Sequence, residues 1–128
     1  LGDVYKRQLS DFVIKTVPLT EESRHMIGQT ELAQMKTTAI LINVARGGVV
    51  DKEALLGALQ NGKIAGAALD VTEPEPLPRD HPLLKMDNLV ITPHLGSAAR
   101  ATRLAMGKLT VDNLKAGLAG KELLQRVV

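Results

Sequence analysis

The feature that most constrains the fold is a repeated alternation of short apolar runs with helix-forming segments. Four runs have the length and residue types of β-strands, and a turn or a polar residue follows each of them. Strands that alternate with helices through short loops indicate βαβ units, whose right-handed crossovers produce a parallel sheet. The strands are predicted at residues 11–17, 39–44, 64–70 and 89–92.

Three other segments predict helices. Thr20, followed by two glutamates, is typical of a helix start, and a short helix is expected to extend through Met35. Asp51 is placed to cap a second helix, which has one apolar stripe and ends at Asn61–Gly62. A long helix is expected from about residue 99 to residue 118, with side chains available for burial at Leu104, Leu109, Val111, Leu114 and Leu118.

The composition agrees with a parallel sheet covered by helices and excludes several other classes. Hydrophobic residues make up 45% of the 128 residues and aromatic residues only 2%, so the core must consist of aliphatic side chains. The net charge of +2 is too small to indicate a nucleic acid or membrane partner. Without cysteine there is no disulfide framework or thiolate metal site, which fits the reducing cytoplasm. No metal site is predicted, and no apolar stretch reaches the roughly 18 residues that span a bilayer.

The first eight residues, LGDVYKRQ, show neither strand alternation nor helical spacing, and they include the only tyrosine. Segments of this kind are often processing or cloning sequence. Residues 1–8 are therefore predicted to be a non-native or disordered lead-in, and residues 9–128 to form one partial domain.

Polar side chains follow three of the predicted strands at the point where each strand ends. Arg46 follows the second strand, Asp70 the third and His94 the fourth, and the Pro-rich loop after the third strand contains Glu73 and Glu75. Ligands of open α/β sheets bind outside the carboxyl ends of the parallel strands. The sequence therefore predicts a ligand site at this edge of the sheet.

Each of these side chains has a functional interpretation and a structural alternative. Arg46 is either a surface charge or a guanidinium that binds a carboxylate with two parallel hydrogen bonds. Asp70 either caps a turn or accepts a hydrogen bond from a ribose or a nicotinamide amide. His94 is either a structural histidine or a group placed for proton transfer, in which case Glu75 would orient its ring.

Other candidates in the sequence carry less weight. His25 and His81 have no such neighbours and are assigned to surface structure. Gly47–Gly48 is a weak signal for a phosphate-binding loop, and the sequence contains no G-x-G-x-x-G. No self-sufficient dinucleotide site is therefore predicted.

The chain resembles the D-isomer-specific 2-hydroxyacid dehydrogenases in four stretches that follow the family's order and spacing from about Ser10 onwards. The EPEPLP loop, the DHPLL segment and the PHLGSA ending resemble the glyoxylate reductase/hydroxypyruvate reductase branch. The resemblance implies the second half of a Rossmann-like, doubly wound parallel sheet, which is the C-terminal half of the NAD(P)-binding domain. The matching stretches are SDFVIKTVPLT, ILINVARGGVVD, GAALDVTEPEPLP with DHPLL, and NLVITPHLGSA.

The resemblance also implies an activity and the residues that perform it. The implied enzyme transfers a hydride between NADPH or NADH and a small 2-keto or 2-hydroxy acid, with glyoxylate or hydroxypyruvate as the expected substrate. His94 is the implied general acid/base, Glu75 its partner and Arg46 the group that binds the substrate carboxylate. The implied substrate-binding residues are Arg46, His94 and Ser97, and the implied cofactor-binding residues are Pro18, Val44, Ala45, Arg46, Asp70, His94 and Gly96.

Two alternatives to an enzyme remain open at this point. Corepressor-type proteins that sense a dinucleotide retain the same arginine, glutamate and histidine, and an inactive fragment is the other alternative. The loop from Glu73 to Leu84 favours the reductase. The 128-residue chain is expected to have no measurable activity by itself, whereas the full-length protein is expected to be a homodimer with no nucleic acid or membrane partner.

Overall fold

The computed structural model describes residues 2–126. The first residue of the predicted lead-in and the last two residues of the predicted domain lie outside the described residues. The chain divides into two compact units, of which the first ends at His94 and the second begins at Leu95. The second unit contains one helix, α4 (Arg100–Leu118). The first unit contains α1 (Gly2–Leu9), β1 (Phe12–Lys15), α2 (Gln29–Ala33), β2 (Ile40–Asn43), α3 (Lys52–Gln60), β3 (Gly66–Leu69) and β4 (Leu89–Ile91), with 3-10 turns at Gly47–Val49 and Pro82–Lys85.

The four strands form one parallel sheet in the order β1-β2-β3-β4. This topology confirms the predicted α/β class and its Rossmann-like parallel sheet. Each strand is shorter than predicted, and some of the flanking residues make only a single backbone hydrogen bond to the neighbouring strand. Asp70 N–H donates to Asn43 O at 2.9 Å, for example, and Thr92 N–H donates to Leu69 O at 2.9 Å.

The hydrophobic core lies on one face of the sheet. Val13, Leu41, Ala67 and Leu89 are register partners across the four strands and face this core together. On the opposite face Ile40, Ile42 and Ala68 are partly buried, and the other large apolar side chains are exposed. The fully buried large side chains of the core include Ile27, Leu32, Leu41, Leu55, Ile64 and Leu83, and the exposed ones opposite are Phe12, Ile14 and Val90.

The prediction that a helix starts at Thr20 is wrong. Thr20 N–H donates to Ser23 Oγ at 2.7 Å, and Arg24 N–H donates to Thr20 O at 2.9 Å. The Ser23 hydroxyl then donates to Pro18 O at 2.7 Å, so that these bonds close a single turn. Because the capping groups are used within that turn, the helix begins only at Gln29.

The predicted bounds of the two later helices are confirmed. Asp51 Oδ1 accepts hydrogen bonds from Glu53 N–H and Ala54 N–H at 3.0 Å, which caps α3 as predicted. Gly62 follows α3 in the left-handed conformation, with φ of 61°.

Among the helices of the described residues, none combines the length and the apolar character that a membrane span requires.

No residue of α4 is buried. The side chains that were predicted to be available for burial are all exposed, namely Leu104, Leu109, Val111, Leu114 and Leu118.

The predicted lead-in contains a helix from Gly2 to Leu9, although its sequence lacks helical spacing. Ser10 continues the local hydrogen bonding, since its N–H and its hydroxyl both donate to Lys6 O, at 3.0 and 2.7 Å. The structure therefore has a helix here. That residues 1–8 are a non-native or disordered lead-in stays a prediction.

Candidate functional site

The site predicted from the strand ends corresponds to one edge of the sheet. Arg46, Asp70 and His94 follow the carboxyl ends of β2, β3 and β4, which are parallel and adjacent. Since neighbouring strands lie about 4.8 Å apart, the segments after β2 and β4 are separated by roughly 10 Å. That spacing suits a ligand of a few heavy atoms that contacts both segments.

His94 is held against Glu75. Its Nδ1 lies 2.8 Å from Glu75 Oε1, and the two side chains are 45% and 43% exposed. The second oxygen of Glu75 accepts a hydrogen bond from Thr72 N–H at 3.4 Å. A carboxylate at Nδ1 holds a proton on that nitrogen, which leaves Nε2 as the nitrogen that can exchange a proton with a ligand.

The backbone at His94 is fixed by its neighbours. His94 has a left-handed φ of 55°, and its N–H donates to Asp70 O and to Thr92 O, both at 3.0 Å. Histidine is one of the few residue types enriched in this conformation. The hydrogen bonds hold the histidine beside the end of β3 rather than in line with β4.

Asp70 lies between Arg46 and His94 along the edge. It is buried, and its Oδ1 accepts a hydrogen bond from the Thr92 hydroxyl at 2.6 Å. A cleft of about 480 Å³ opens beside it, with apolar walls and a few polar groups. The cleft is lined by Asp70, Thr72, Glu75, Pro76, Leu77, Leu84, Ile91, Thr92, Pro93 and His94.

Arg46 lies on the neighbouring turn, which the buried side chain of Asn43 holds in place. Asn43 Nδ2 donates to Arg46 O at 2.9 Å, and Asn43 Oδ1 accepts from Ala45 N–H at 3.0 Å. Arg46 is exposed, and its Nη1 donates to Ala45 O at 2.7 Å. A second cleft, of about 570 Å³, is lined by Thr16, Val17, Pro18, Leu19, Val44, Ala45 and Arg46.

The structure therefore divides the predicted cofactor-binding residues between two clefts on one edge. Both volumes fall in the range of roughly 300–1,000 Å³ that is usual for small-molecule sites. Apolar walls, a buried carboxylate and an exposed guanidinium fit the planar ring and the amide of a nicotinamide. The predicted residues in the first cleft are Asp70 and His94, and those in the second are Pro18, Val44, Ala45 and Arg46.

Gly47 and Gly48, which are a weak phosphate-loop signal in the sequence, have a structural role in the packing of two loops. A Cβ on Gly47 would lie 2.1 Å from the carbonyl of Thr72, and one on Gly48 would lie 2.9 Å from Glu73 Oε2. The loop after β3 packs directly on the loop after β2. Only glycine leaves room for that approach.

The remaining residues named from the sequence belong to other segments of the chain. Gly96 and Ser97 belong to the second unit, so their site roles stay predictions. His81 Nδ1 accepts a hydrogen bond from Leu83 N–H at 3.2 Å and caps a 3-10 turn. His25 Nε2 lies 3.9 Å from Glu73 Oε2. In the described residues there is no cluster of three or more histidines and carboxylates that could hold a metal.

Sequence reasoning missed three residues that hold the site together. Thr92 and Asn43 lie at strand ends, so the rule that identified Asp70 and Arg46 could also have selected them. No local sequence pattern identifies Arg24 as part of the site, because its ion pair with Glu73 joins residues that are 49 positions apart.

The sequence model of the D-isomer specific 2-hydroxyacid dehydrogenase NAD binding domain matches residues 6–96. The match begins within the predicted lead-in and includes Arg46, Glu75 and His94. The chain belongs to this family.

Curated relatives and solved structures agree with this assignment. A glyoxylate reductase of Korarchaeum cryptofilum is 54% identical over 112 residues, and a glyoxylate/hydroxypyruvate reductase B of Yersinia enterocolitica is 54% identical over 110. These matches cover 88% and 86% of the chain and 34% of each relative, so the chain spans about a third of their length.

The structure of an NADPH-dependent glyoxylate/hydroxypyruvate reductase from Sinorhizobium meliloti, in complex with NADP and malonate, superposes with a TM-score of 0.91. It is 42% identical, and the match covers 98% of this chain and 39% of that one.

Proposed function

We propose that this chain provides the acid–base group and the carboxylate-binding group of an oxidoreductase that transfers a hydride between NAD(P)H and a small 2-keto or 2-hydroxy acid. Glyoxylate and hydroxypyruvate are the proposed substrates, on the names of the relatives. The observation that carries the proposal is the 2.8 Å contact between His94 Nδ1 and Glu75 on the same sheet edge as Arg46. No contact in the described residues favours the corepressor alternative.

Three side chains have distinct proposed roles in the reducing direction. When bound, a reduced nicotinamide supplies the hydride that is added to the keto carbon. His94 donates the proton from Nε2 to the carbonyl oxygen, and Glu75 stabilises the protonated ring and fixes its orientation. Arg46 binds the substrate carboxylate with its planar fork and holds the keto group in place.

The cofactor is proposed to be NADPH or NADH, with NADPH favoured by the name of the Sinorhizobium relative. Asp70 is proposed to accept a hydrogen bond from the nicotinamide amide, and Ser97 to contact the substrate. The other proposed cofactor contacts are Pro18, Val44, Ala45, Arg46, His94 and Gly96.

The proposal is tested with a hybrid reductase, in which this chain replaces the matching segment of the Sinorhizobium enzyme. Glyoxylate and hydroxypyruvate reduction is followed by the loss of NADPH absorbance, and NADPH binding is measured separately by its fluorescence. The expected result is turnover of both acids. The unmodified Sinorhizobium enzyme is the positive control, and the hybrid with Arg46→Gln is expected to bind NADPH but to have a raised KM for the acid.

A hybrid that folds and binds NADPH but turns over neither acid would contradict the proposed activity. If it turned over another 2-keto acid instead, the substrate assignment alone would be wrong. The 128-residue chain by itself is expected to be inactive in the same assay, since its sequence lacks the glycine fingerprint that binds a dinucleotide pyrophosphate.

A homodimer is the proposed assembly of the whole protein, and α4 is the candidate contact surface because its apolar side chains are exposed. Sedimentation of the complete protein tests this, and a monomer at micromolar concentration would contradict it. The cytoplasm is the proposed location, on the absence of cysteine.

A further inference from the structure

We propose that Arg24 and Glu73 are positioning residues, whose ion pair fastens the loop containing Glu75 to the loop containing Arg46. The inference rests on the proposed function for the roles of Glu75 and Arg46. It assigns a role to two side chains that line neither of the two clefts described above.

A single guanidinium nitrogen of Arg24 contacts both carboxylate oxygens of Glu73. Arg24 Nη1 lies 3.2 Å from both oxygens of Glu73. The two side chains are 44% and 46% exposed, and half-exposed pairs of this kind contribute little to global stability. Removing the pair should therefore leave the fold intact, while the loop loses its side-chain contact with Arg24.

Arg24 belongs to a segment that is bound to the loop after β2. His25 N–H donates to Gly48 O at 2.8 Å, and Ile27 N–H donates to Val49 O at 3.2 Å. In the opposite direction, Asp51 N–H donates to Ile27 O at 2.9 Å. These backbone bonds join residues 24–27 to the chain that follows Arg46.

Glu73 belongs to the loop after β3, where it precedes Glu75 by two residues. Gly48 is so close to the ion pair that a Cβ there would lie 2.9 Å from Glu73 Oε2 and 3.2 Å from Arg24 Nη1. Thr72 N–H, on the other side of Glu73, donates to Glu75 Oε2. A displacement of the loop backbone at Thr72 and Glu73 would therefore displace Glu75 as well.

The position of this loop matters because His94 is held independently of it, at the end of β4. The 2.8 Å contact between Glu75 and His94 depends on where the loop lies. Misplacement of a catalytic group by about 1 Å can lower a rate by roughly 10²-fold. The Arg24–Glu73 pair thus acts on the reaction only through Glu75.

The first test uses the full 128-residue chain and does not depend on activity. The ¹⁵N signals of the His94 ring report which nitrogen is protonated and are recorded for the chain and for Arg24→Gln, Glu73→Gln and Glu75→Gln. Both Arg24→Gln and Glu73→Gln are expected to shift these signals towards those of Glu75→Gln. The matched control is Arg79→Gln, which alters an exposed arginine of the same loop and should leave them unchanged.

His94 ring signals that stay the same in both Arg24→Gln and Glu73→Gln would overturn the proposal. So would an equal shift in the Arg79→Gln control, because it would show a general effect of charge. Failure of the proposed function would instead appear as an inactive hybrid reductase, with no effect on this spectroscopic result.

The second test measures kcat and KM in the hybrid reductase. Arg24→Gln is expected to lower kcat by roughly 10-fold to 10²-fold with little change in the KM for NADPH, since only the alignment of Glu75 is lost. Arg24→Lys is expected to recover most of the loss. The charge-exchanged double variant Arg24→Glu/Glu73→Arg is expected to have a higher kcat than either single variant, Arg24→Glu or Glu73→Arg.

An unchanged kcat in Arg24→Gln would overturn the proposal. Equal losses in Arg24→Gln, Arg24→Lys and the charge-exchanged double variant would also overturn it, because they would indicate that Arg24 acts without Glu73.

Discussion

Two histidine–glutamate pairs in this molecule are built alike and differ in their surroundings. His94 and His25 have left-handed φ values of 55° and 52°, and they are 45% and 50% exposed. Each faces a glutamate of the same loop. His94 lies 2.8 Å from Glu75, however, whereas His25 lies 3.9 Å from Glu73.

The partner of each glutamate explains the difference. Glu73 binds Arg24 through both of its oxygens, so that its carboxylate is already paired when His25 approaches. Glu75 directs Oε1 at His94, which also lies at a strand end beside a buried aspartate. A histidine near a glutamate is therefore not sufficient for acid–base chemistry. The proposed role also requires that the pair lie at the edge of the sheet where a ligand is proposed to bind, and that the carboxylate be available to the ring.

The largest expected effect comes from removing His94. In the hybrid reductase, His94→Ala should lower kcat by roughly 10²–10⁴-fold, which is the usual contribution of a positioned general acid. NADPH binding should persist, and fluorescence titration checks it. An unchanged kcat would remove His94 from the mechanism and would make the two histidines equivalent.

Glu75→Gln should have the next largest effect. An amide keeps the size of the side chain but does not stabilise a protonated ring, so kcat should fall by roughly 10–10²-fold, less than for His94→Ala. The same substitution at Glu73 provides the comparison, because it acts only through position. If Glu73→Gln lowered kcat more than Glu75→Gln, the assignment of the two glutamates would have to be reversed.

Gly47→Ala should affect both pairs together. The added methyl group would lie 2.1 Å from the Thr72 carbonyl, so the loop with both glutamates must move. Overpacking of this kind costs about 1–3 kcal/mol, which thermal unfolding of the 128-residue chain would detect. Gly57→Ala is the matched control, since nothing lies within 4 Å of a Cβ at that helical position. Equal losses of stability in the two variants would contradict the close packing of the loops.

The smallest effect is expected for His25→Asn, because asparagine also adopts the left-handed φ of 52° found at this position. The contact of His25 with Glu73 is long and half-exposed, so the free energy of unfolding should change by less than about 0.5 kcal/mol. The kcat of the hybrid reductase should stay the same, because Arg24 still holds Glu73. A loss of kcat as large as that of His94→Ala would show that the difference between the two pairs is not functional.

The parts of this fold that were predictable from the sequence depend on neighbouring residues. Parallel strands follow from the alternation of short apolar runs with helical segments, and the Asp51 cap follows from a side chain and the two backbone groups next to it. The same local logic was wrong at Thr20, because the Ser23 hydroxyl closes the turn before a helix can form.

The candidate site shows the same division. The strand ends that hold Arg46, Asp70 and His94 were predictable from topology alone. The pairing of Arg24 with Glu73 was not, because it depends on how two loops from distant parts of the sequence fold over one another. The packing role of the glycines at 47 and 48 was not predictable for the same reason, since they leave space for a segment 25 residues away.

That space has a consequence for any redesign of the proposed substrate site. The backbone of Thr72 rests on Gly47 with no room for a single methyl group. Redesign of the turn around Arg46, by insertion or by bulkier residues, would have to be matched by a compensating change in the loop that begins at Val71. Libraries that vary both segments together should yield active variants more often than libraries that vary either one alone.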